Sequence, residues 1–205
     1  MHSSCSPRDC DRKKYCVLSL QTVLAARELR WKNKKLLAES LAQKFPGHRL
    51  ALAFCTLRMP ASLRISNLYK DIVVQLRDFL AGALMDGAIQ ILDYGQEEYE
   101  DGPSAWLASD CDERILKRMA IAIEEGHALG SLVDIDVTDA KARLLSRRDM
   151  GYAPRKCLVC DDEAAVCSAG QRHSLSEIEA HIEAIISDSM GREAWDSHDG
   201  HKERD

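Results

Sequence analysis

Two stretches of the sequence carry residue types whose spacing could do chemistry. The first is LVDIDV (132–137), in which Asp134 and Asp136 alternate with Val133, Ile135 and Val137. On a strand, side chains at i and i+2 point the same way, so the two carboxylates share one face and the aliphatic residues the other. Carboxylates about 7 Å apart at their Cα atoms can converge on one Mg²⁺, a hard cation that prefers oxygen ligands and keeps several waters. Such a pair suits phosphoryl or nucleotidyl transfer, where the metal neutralises phosphate charge. The same alternation also describes a strand with one solvated face. A helix carrying Glu124, Glu125 and His127, then Gly130, precedes it.

The second stretch is RKCLVCDDEAAVCSAGQRHS (155–174), where Cys157, Cys160, Cys167 and His173 read C-x2-C-x6-C-x5-H. The CxxC half is a common zinc spacing, and Cys₃His is a known tetrahedral structural set. A tight loop with small buried cysteines fits the same residues. A redox pair fits less well, because this CxxC does not open a helix after a strand. Around it Arg147, Arg148, Arg155, Lys156, Arg172 and His173 cluster in a chain with 28 basic and 33 acidic residues. The start of the next helix offers backbone N–H groups, and arginine can clamp phosphate bidentately. A polyphosphate ligand is the simplest functional reading of the cluster, against a merely solvated basic face.

The elements that must position these groups follow from periodicity and breakers. A helix over 18–44 carries an apolar stripe of Leu20, Val23, Leu24, Trp31, Ala38, Leu41 and Ala42. Arg27 and Lys34 fall inside that stripe and Arg30 at its edge, so they need an anionic ligand, an ion-pair partner or a route to water. HRLALAFCTLRM reads as a buried strand ended by Pro60, and 65–85 as a helix with Ile65, Leu68, Ile72, Leu76 and Phe79 inward. A strand over 88–99, a turn at Asp101-Gly102-Pro103 and the strand SAWLAS come next. A helix over 112–128 follows, with Ile115, Met119, Ala122 and Ile123 inward and Gly130 as its stop. ARLLS is placed to pair with LVDIDV. The last helix, 174–190, opens with a Ser174/Glu177 capping box and buries Leu175, Ile178, Ile182, Ile185 and Ile186 before Gly191 ends it.

From Arg49 to Val137 the order is β-α-β-β-α-β. This predicts an α+β fold: a ferredoxin-like, palm-type split βαβ antiparallel sheet with an added N-terminal and a C-terminal helix. The expected organisation is a flexible tail over 1–16 with Cys5, Cys10 and Cys16 as incidental thiols, one domain over 17–190, and a polar tail over 191–205 with His198 and His201 solvated. At 205 residues the chain can build one sizeable core. A net charge of −5 argues against a nucleic-acid partner. No apolar run is long enough to span a membrane, and MHSSCSPRDCDRKKYC holds no signal-like segment. The expected location is cytoplasmic, with reduced thiols.

Taken in order, HALG-SLVDIDV, LLSRRDMGYAPRKCLVC and VCSAGQRHSLSEIEAHI resemble the holo-citrate lyase synthase family, the apo-citrate lyase phosphoribosyl-dephospho-CoA transferases. LAARELRWKNKKLL resembles the family's Arg-Glu-x-Arg helix, LRMPASLRIS its Asn-Ile-Pro-Gly loop, and DGPSAWLAS its Thr-Gly strand start. The resemblance implies a nucleotidyltransferase acting on the acyl-carrier subunit of citrate lyase. A serine hydroxyl of that subunit attacks a triphosphoribosyl-dephospho-CoA donor, a phosphodiester forms and diphosphate leaves. It implies catalytic Asp134 and Asp136 holding Mg²⁺, and donor contacts from Arg27, Arg30, Arg64, Gly130, Arg147, Arg155, Arg172 and His173. Whether Cys157, Cys160, Cys167 and His173 hold Zn²⁺ it does not settle. The chain departs from the family pattern in three places. Gly130-Ser131 stands for Gly-Arg, Arg58-Met59-Pro60-Ala61 for Asn-Ile-Pro-Gly, and Cys167-Ser168-Ala169-Gly170-Gln171-Arg172-His173 for a run with two more arginines. The alternative is a weakened or inactive member that binds or regulates a lyase subunit.

Overall fold

The computed structural model describes residues 18–199; the N-terminal segment with Cys5, Cys10 and Cys16, and His201 near the other end, lie outside the described residues. Five strands form one sheet: β1 Leu50–Leu57, β2 Ile91–Tyr99, β3 Gly102–Asp110, β4 Val133–Asp139 and β5 Leu144–Leu145. Their order is β2-β3-β1-β4-β5, and every neighbouring pair is antiparallel. Among the described residues six α-helices accompany them: α1 Leu20–Lys44, α2 Ala61–Arg64, α3 Lys70–Asp86, α4 Glu113–Gly126, α5 Ala164–Gly170 and α6 Leu175–Asp199.

Both faces of the sheet are covered. Ala51, Ala53, Cys55 and Leu57 of β1, with Val133, Ile135 and Val137 of β4, meet Leu76, Leu80 and Leu84 of α3 and Leu116, Ala120 and Ile123 of α4. Ile182 of α6 joins this cluster. On the opposite face Leu50, Leu52 and Phe54 meet Ala38 and Leu41 of α1. A central strand covered on both sides has no solvated face, which is why LALAFCTL reads as an unbroken apolar run.

Several sequence expectations need correction. The single helix over 65–85 is a short α2, a 3₁₀ turn at Asn67–Tyr69 and then α3. Pro60 starts the first turn as its N-cap, and Ile65 closes it, outside α3. Phe79 is about half exposed, and in α4 Leu116, Ala120 and Ile121 are buried where Ile115 was expected. In α1 the stripe divides: Ala38 and Leu41 are buried, whereas Leu20, Leu24 and Trp31 are largely exposed. α6 runs past Gly191 to Asp199. One helical glycine costs about 1 kcal/mol relative to alanine, too little to force an end.

Candidate active site

Asp134 and Asp136 lie on the α1 side of the sheet, opposite Thr56 and Phe54 of β1. Val133, Ile135 and Val137 are fully buried on the other side, as the alternation requires. β5 pairs with β4 only at Val137 and Thr138, so the outer edge of β4 is uncovered where the carboxylates stand. Side chains satisfy that edge. Ile135 N–H donates to Glu124 Oε1 at 2.7 Å, Lys117 Nζ donates to Ile135 O at 2.9 Å, and Arg155 Nη1 donates to Val133 O at 2.9 Å. Buried peptide groups need such partners, so Glu124 and Lys117 of α4 fix the strand that carries the carboxylates. Glu124 also accepts Arg147 at 2.9 Å and pairs with Arg155.

Each carboxylate has its own cation. Arg155 reaches Asp134 at 2.7 Å, and Lys34 reaches Asp136 at 2.8 Å while lying 4.7 Å over the Phe54 ring. Burial, and then the like charge of Asp136, hold the Asp134 carboxyl above its usual range against the pull of Arg155. A hard divalent cation would relieve that crowding, so the donor set fits Mg²⁺. Lys34 thus finds the ion-pair partner that its place in an apolar stripe calls for, and Glu124 and Lys117, to which the sequence assigned no role, hold the strand edge. Their signal was a charge inside an apolar helical stripe, which calls for a buried partner.

A cleft of about 1400 Å³ opens above the pair, bounded by α1, the 58–64 segment and the 157–178 segment. Arg27, Arg30, Lys34, Arg58 and Arg64 line it, with Asp134 and Asp136 on its floor. Arg30 and Arg64 converge on Asp101, which is fully buried; Arg64 stands 3.2 Å from it. Two guanidinium groups against one carboxylate leave one positive charge in excess. Burial lowers the Arg64 pKa, Asp101 draws it back, and Arg30 and Arg27 press it down again. Among the described residues, the Nε–H donors of Arg30, Arg64 and Arg147 are buried without an acceptor.

A smaller cleft of about 600 Å³ reaches the same two carboxylates and is lined by Lys117, Arg147, Arg148 and Arg155. Not every expected donor contact falls in these spaces. Arg172 pairs with Asp162 at 2.5 Å and lines neither cleft. Gly130 lines neither, and a Cβ there would stand 2.0 Å from the Ile123 carbonyl oxygen, so it lets α4 pack closely. At the start of α6 the capping box forms: Ser174 N–H donates to Glu177 at 2.8 Å, and Glu177 N–H to Ser174 Oγ at 3.2 Å. Those bonds occupy donors the sequence reading left for an anion.

His173 lines the large cleft and belongs to the cysteine cluster. The ligand atoms of Cys157, Cys160, Cys167 and His173 lie within 4.8 Å of one another, so the cluster could hold a metal ion. Burial raises the Cys157 thiol, but the N–H groups of Val159 and Cys160, with the neighbouring thiols, bring it down to about 7. Burial and its bonds to Cys160 and Cys157 push Cys167 up to about 11.

The site thus sets paired carboxylates, carried on one strand of an α+β sheet, between two clefts lined by arginines. Residues 18–189 match the family described as apo-citrate lyase phosphoribosyl-dephospho-CoA transferase, and the chain belongs to that family. It is 32% identical over 141 residues to the apo-citrate lyase phosphoribosyl-dephospho-CoA transferase of Shigella flexneri serotype 5b (strain 8401), across 69% of this chain and 77% of that protein. It is 41% identical over 87 residues to the protein of the same name from Escherichia coli O9:H4 (strain HS), across 42% of this chain and 48% of the relative, about half its length. No helix among the described residues is long and apolar enough to cross a membrane.

Proposed function

We propose that this chain transfers the prosthetic group of a triphosphoribosyl-dephospho-CoA donor to a serine of the citrate lyase acyl-carrier subunit. The observation that carries this reading is the placement of Asp134 and Asp136 between two cationic clefts, together with buried arginine donors that have no acceptor. The large cleft, about 1400 Å³, has room for a nucleotide-sized donor. Arg27, Arg30, Arg58 and Arg64 line it and would hold the phosphates. The smaller cleft, with Arg147, Arg148 and Arg155, would receive the carrier serine or the departing diphosphate. Mg²⁺ bound by Asp134 and Asp136 would supply charge neutralisation at the triphosphate.

The serine oxygen attacks the phosphorus nearest the ribose, and the bond to diphosphate breaks. Asp134, beside the attacking oxygen, takes the serine proton as the new bond forms. The arginines orient the donor and offset the charge of the leaving group. The order β1-α3-β2-β3-α4-β4 and the strand order β2-β3-β1-β4 support a split βαβ core of the ferredoxin-like, palm type. Residues 17–190 would work as one domain in the cytoplasm. A second, softer donor set stands in the cleft wall, where three thiols and an imidazole suit Zn²⁺ rather than Mg²⁺.

Intact-mass spectrometry tests the reading. The acyl-carrier subunit of citrate lyase, incubated with this chain, Mg²⁺ and the donor, gains the mass of one prosthetic group. With Asp134→Asn it gains none. An unmodified carrier, under conditions where another family member modifies it, overturns the proposal. No observation among the described residues favours the alternative of a binding protein without turnover.

A further inference from the structure

We infer that Cys157, Cys160, Cys167 and His173 bind a structural zinc ion that braces one wall of the large cleft. The spacing C-x2-C-x6-C-x5-H supplies four soft ligands, and the fold brings all four together. In a tetrahedral zinc site with Zn–S near 2.3 Å and Zn–N near 2.0 Å, neighbouring ligand atoms stand about 3.5–3.8 Å apart. Cys160 Sγ lies 3.5 Å from Cys167 Sγ and 3.4 Å from His173 Nε2. The sulfur separation is far too long for a disulfide, which is near 2.05 Å, and close to one edge of that tetrahedron.

The backbone around the cluster is shaped for the same purpose. Val159 N–H donates to Cys157 Sγ at 3.5 Å, a contact that favours a thiolate over a thiol. Cys157 N–H donates to Asp162 O at 2.7 Å, Ala164 N–H donates to Arg155 O at 2.8 Å, and Lys156 bridges to Glu163. These bonds close a small knuckle that presents Cys157 and Cys160 from one turn. Cys167 comes from α5, a helix of seven residues, and His173 from the link to α6. A helix so short is not stable on its own, and Cys167 is its only buried residue. Apart from Leu158, which packs against the core, apolar contacts do little to hold this segment, and a bound ion supplies a further constraint. Four protein ligands close the coordination shell, so the ion is structural and takes no part in the reaction.

The segment is also a wall. Leu158, Val159, Ala164, Ala165, Ser168 and Gln171 all line the large cleft. Zinc bound behind them fixes that surface, and in that respect the inference rests on the cleft being the donor site.

The test begins with the full chain, grown with zinc and purified without chelator. Metal analysis returns about one zinc per chain. Cys160→Ser and His173→Ala each lower that content at least roughly tenfold, whereas Cys111→Ser, a thiol outside the cluster, leaves it unchanged. Cobalt exchanged into the wild-type chain gives a thiolate-to-cobalt charge-transfer band and the intense visible bands of a tetrahedral site. That spectrum decides the matter even if the variants fail to fold. Zinc-stripped chain binds dephospho-CoA roughly tenfold more weakly than zinc-loaded chain. Zinc-free wild-type protein, zinc retained in folded Cys160→Ser, or cobalt bound without the thiolate band overturns the site; unchanged dephospho-CoA affinity overturns its bracing role. A chain that modifies the carrier but holds no zinc sinks this inference and leaves the transferase reading standing. Zinc without transfer does the reverse.

Discussion

Lys34 Nζ stands 2.8 Å from Asp136 Oδ2 and 4.7 Å over the ring of Phe54, the residue paired with Asp136 across β1 and β4. A cation from the helix over one face of the sheet thus reaches the carboxylate pair on β4. Lys34 is itself buried. It occupies an Asp136 oxygen that a divalent cation would also use, and it adds positive charge where phosphates would lie. Lys34→Met keeps the apolar stem and removes the charge. The expected result is a kcat/KM for the donor lowered about tenfold to a hundredfold, the ~1.5–3 kcal/mol of one charge-assisted bond. The Mg²⁺ concentration giving half-maximal rate falls, because Asp136 loses a competitor. Steady-state kinetics across a Mg²⁺ titration measures both, and a raised Mg²⁺ requirement would show that Lys34 instead orients Asp136 for the metal.

Asp134 offers a prediction about stability. Its carboxyl is held above the usual range by burial and by Asp136. A carboxyl whose pKa rises on folding stabilises the fold while protonated. That contribution is lost as pH climbs through the folded-state value. Asp134→Asn is therefore at least as stable as the wild type at pH 8 without Mg²⁺, and its advantage disappears toward pH ~4, where carboxyl groups protonate. Its turnover falls by roughly two to four orders of magnitude. Mg²⁺ raises the melting temperature of the wild type and leaves that of the variant unchanged. Thermal melts across pH, with and without Mg²⁺, check all three statements.

What could be read in the sequence was what repeats at short range. LVDIDV announced its two faces because a strand alternates strictly, and the cysteine cluster announced itself because its four ligands lie within 17 consecutive residues. The phase of α4 was harder. Lys117 and Glu124 are buried on its inward side to serve the open edge of β4, so a count of apolar residues alone put Ile115 inward by mistake. The cations of α1 posed the right question, but the answer lay over a hundred residues away at Asp136. Asp101 looked like a turn residue because its two arginine partners come from distant helices. Such long-range pairings leave no local period to read.

Asp101 is the residue whose loss should cost most stability. It is fully buried between Arg30 of α1 and Arg64 of α2, at the turn that joins β2 and β3. Asp101→Asn leaves two part-buried guanidinium groups facing each other without their counter-ion. Breaking a buried ion pair in this way costs about 3–5 kcal/mol. Arg64→Met should cost clearly less, because Arg30 still neutralises Asp101. Urea unfolding of the two variants gives the comparison, and equal losses would mean that Arg64 rather than Arg30 is the main partner.

Arg58 stands where the family pattern predicts no charge, and it bears on whether the chain's departures weaken it. Its guanidinium donates to the carbonyl of Ser131 at 3.4 Å and to the carbonyl of Lys156. Ser131 is the position where the family pattern carries arginine, so Arg58 brings a guanidinium to the neighbourhood from the opposite strand end. Burial and the nearby Arg155 both lower its pKa, the mark of a cation in a space already positively charged. Arg58→Ala is expected to weaken donor binding about tenfold to a hundredfold, the worth of one charge-assisted hydrogen bond. Adding Ser131→Arg in the same chain should restore most of that affinity, because Ser131 lies beside Arg58 and the charge returns next to the position Arg58 left. Calorimetric titration of the donor into the three proteins measures the cycle. Full affinity in Arg58→Ala alone would mean that Arg58 only ties its loop to the knuckle, and that the phosphates are held by Arg27, Arg30 and Arg64.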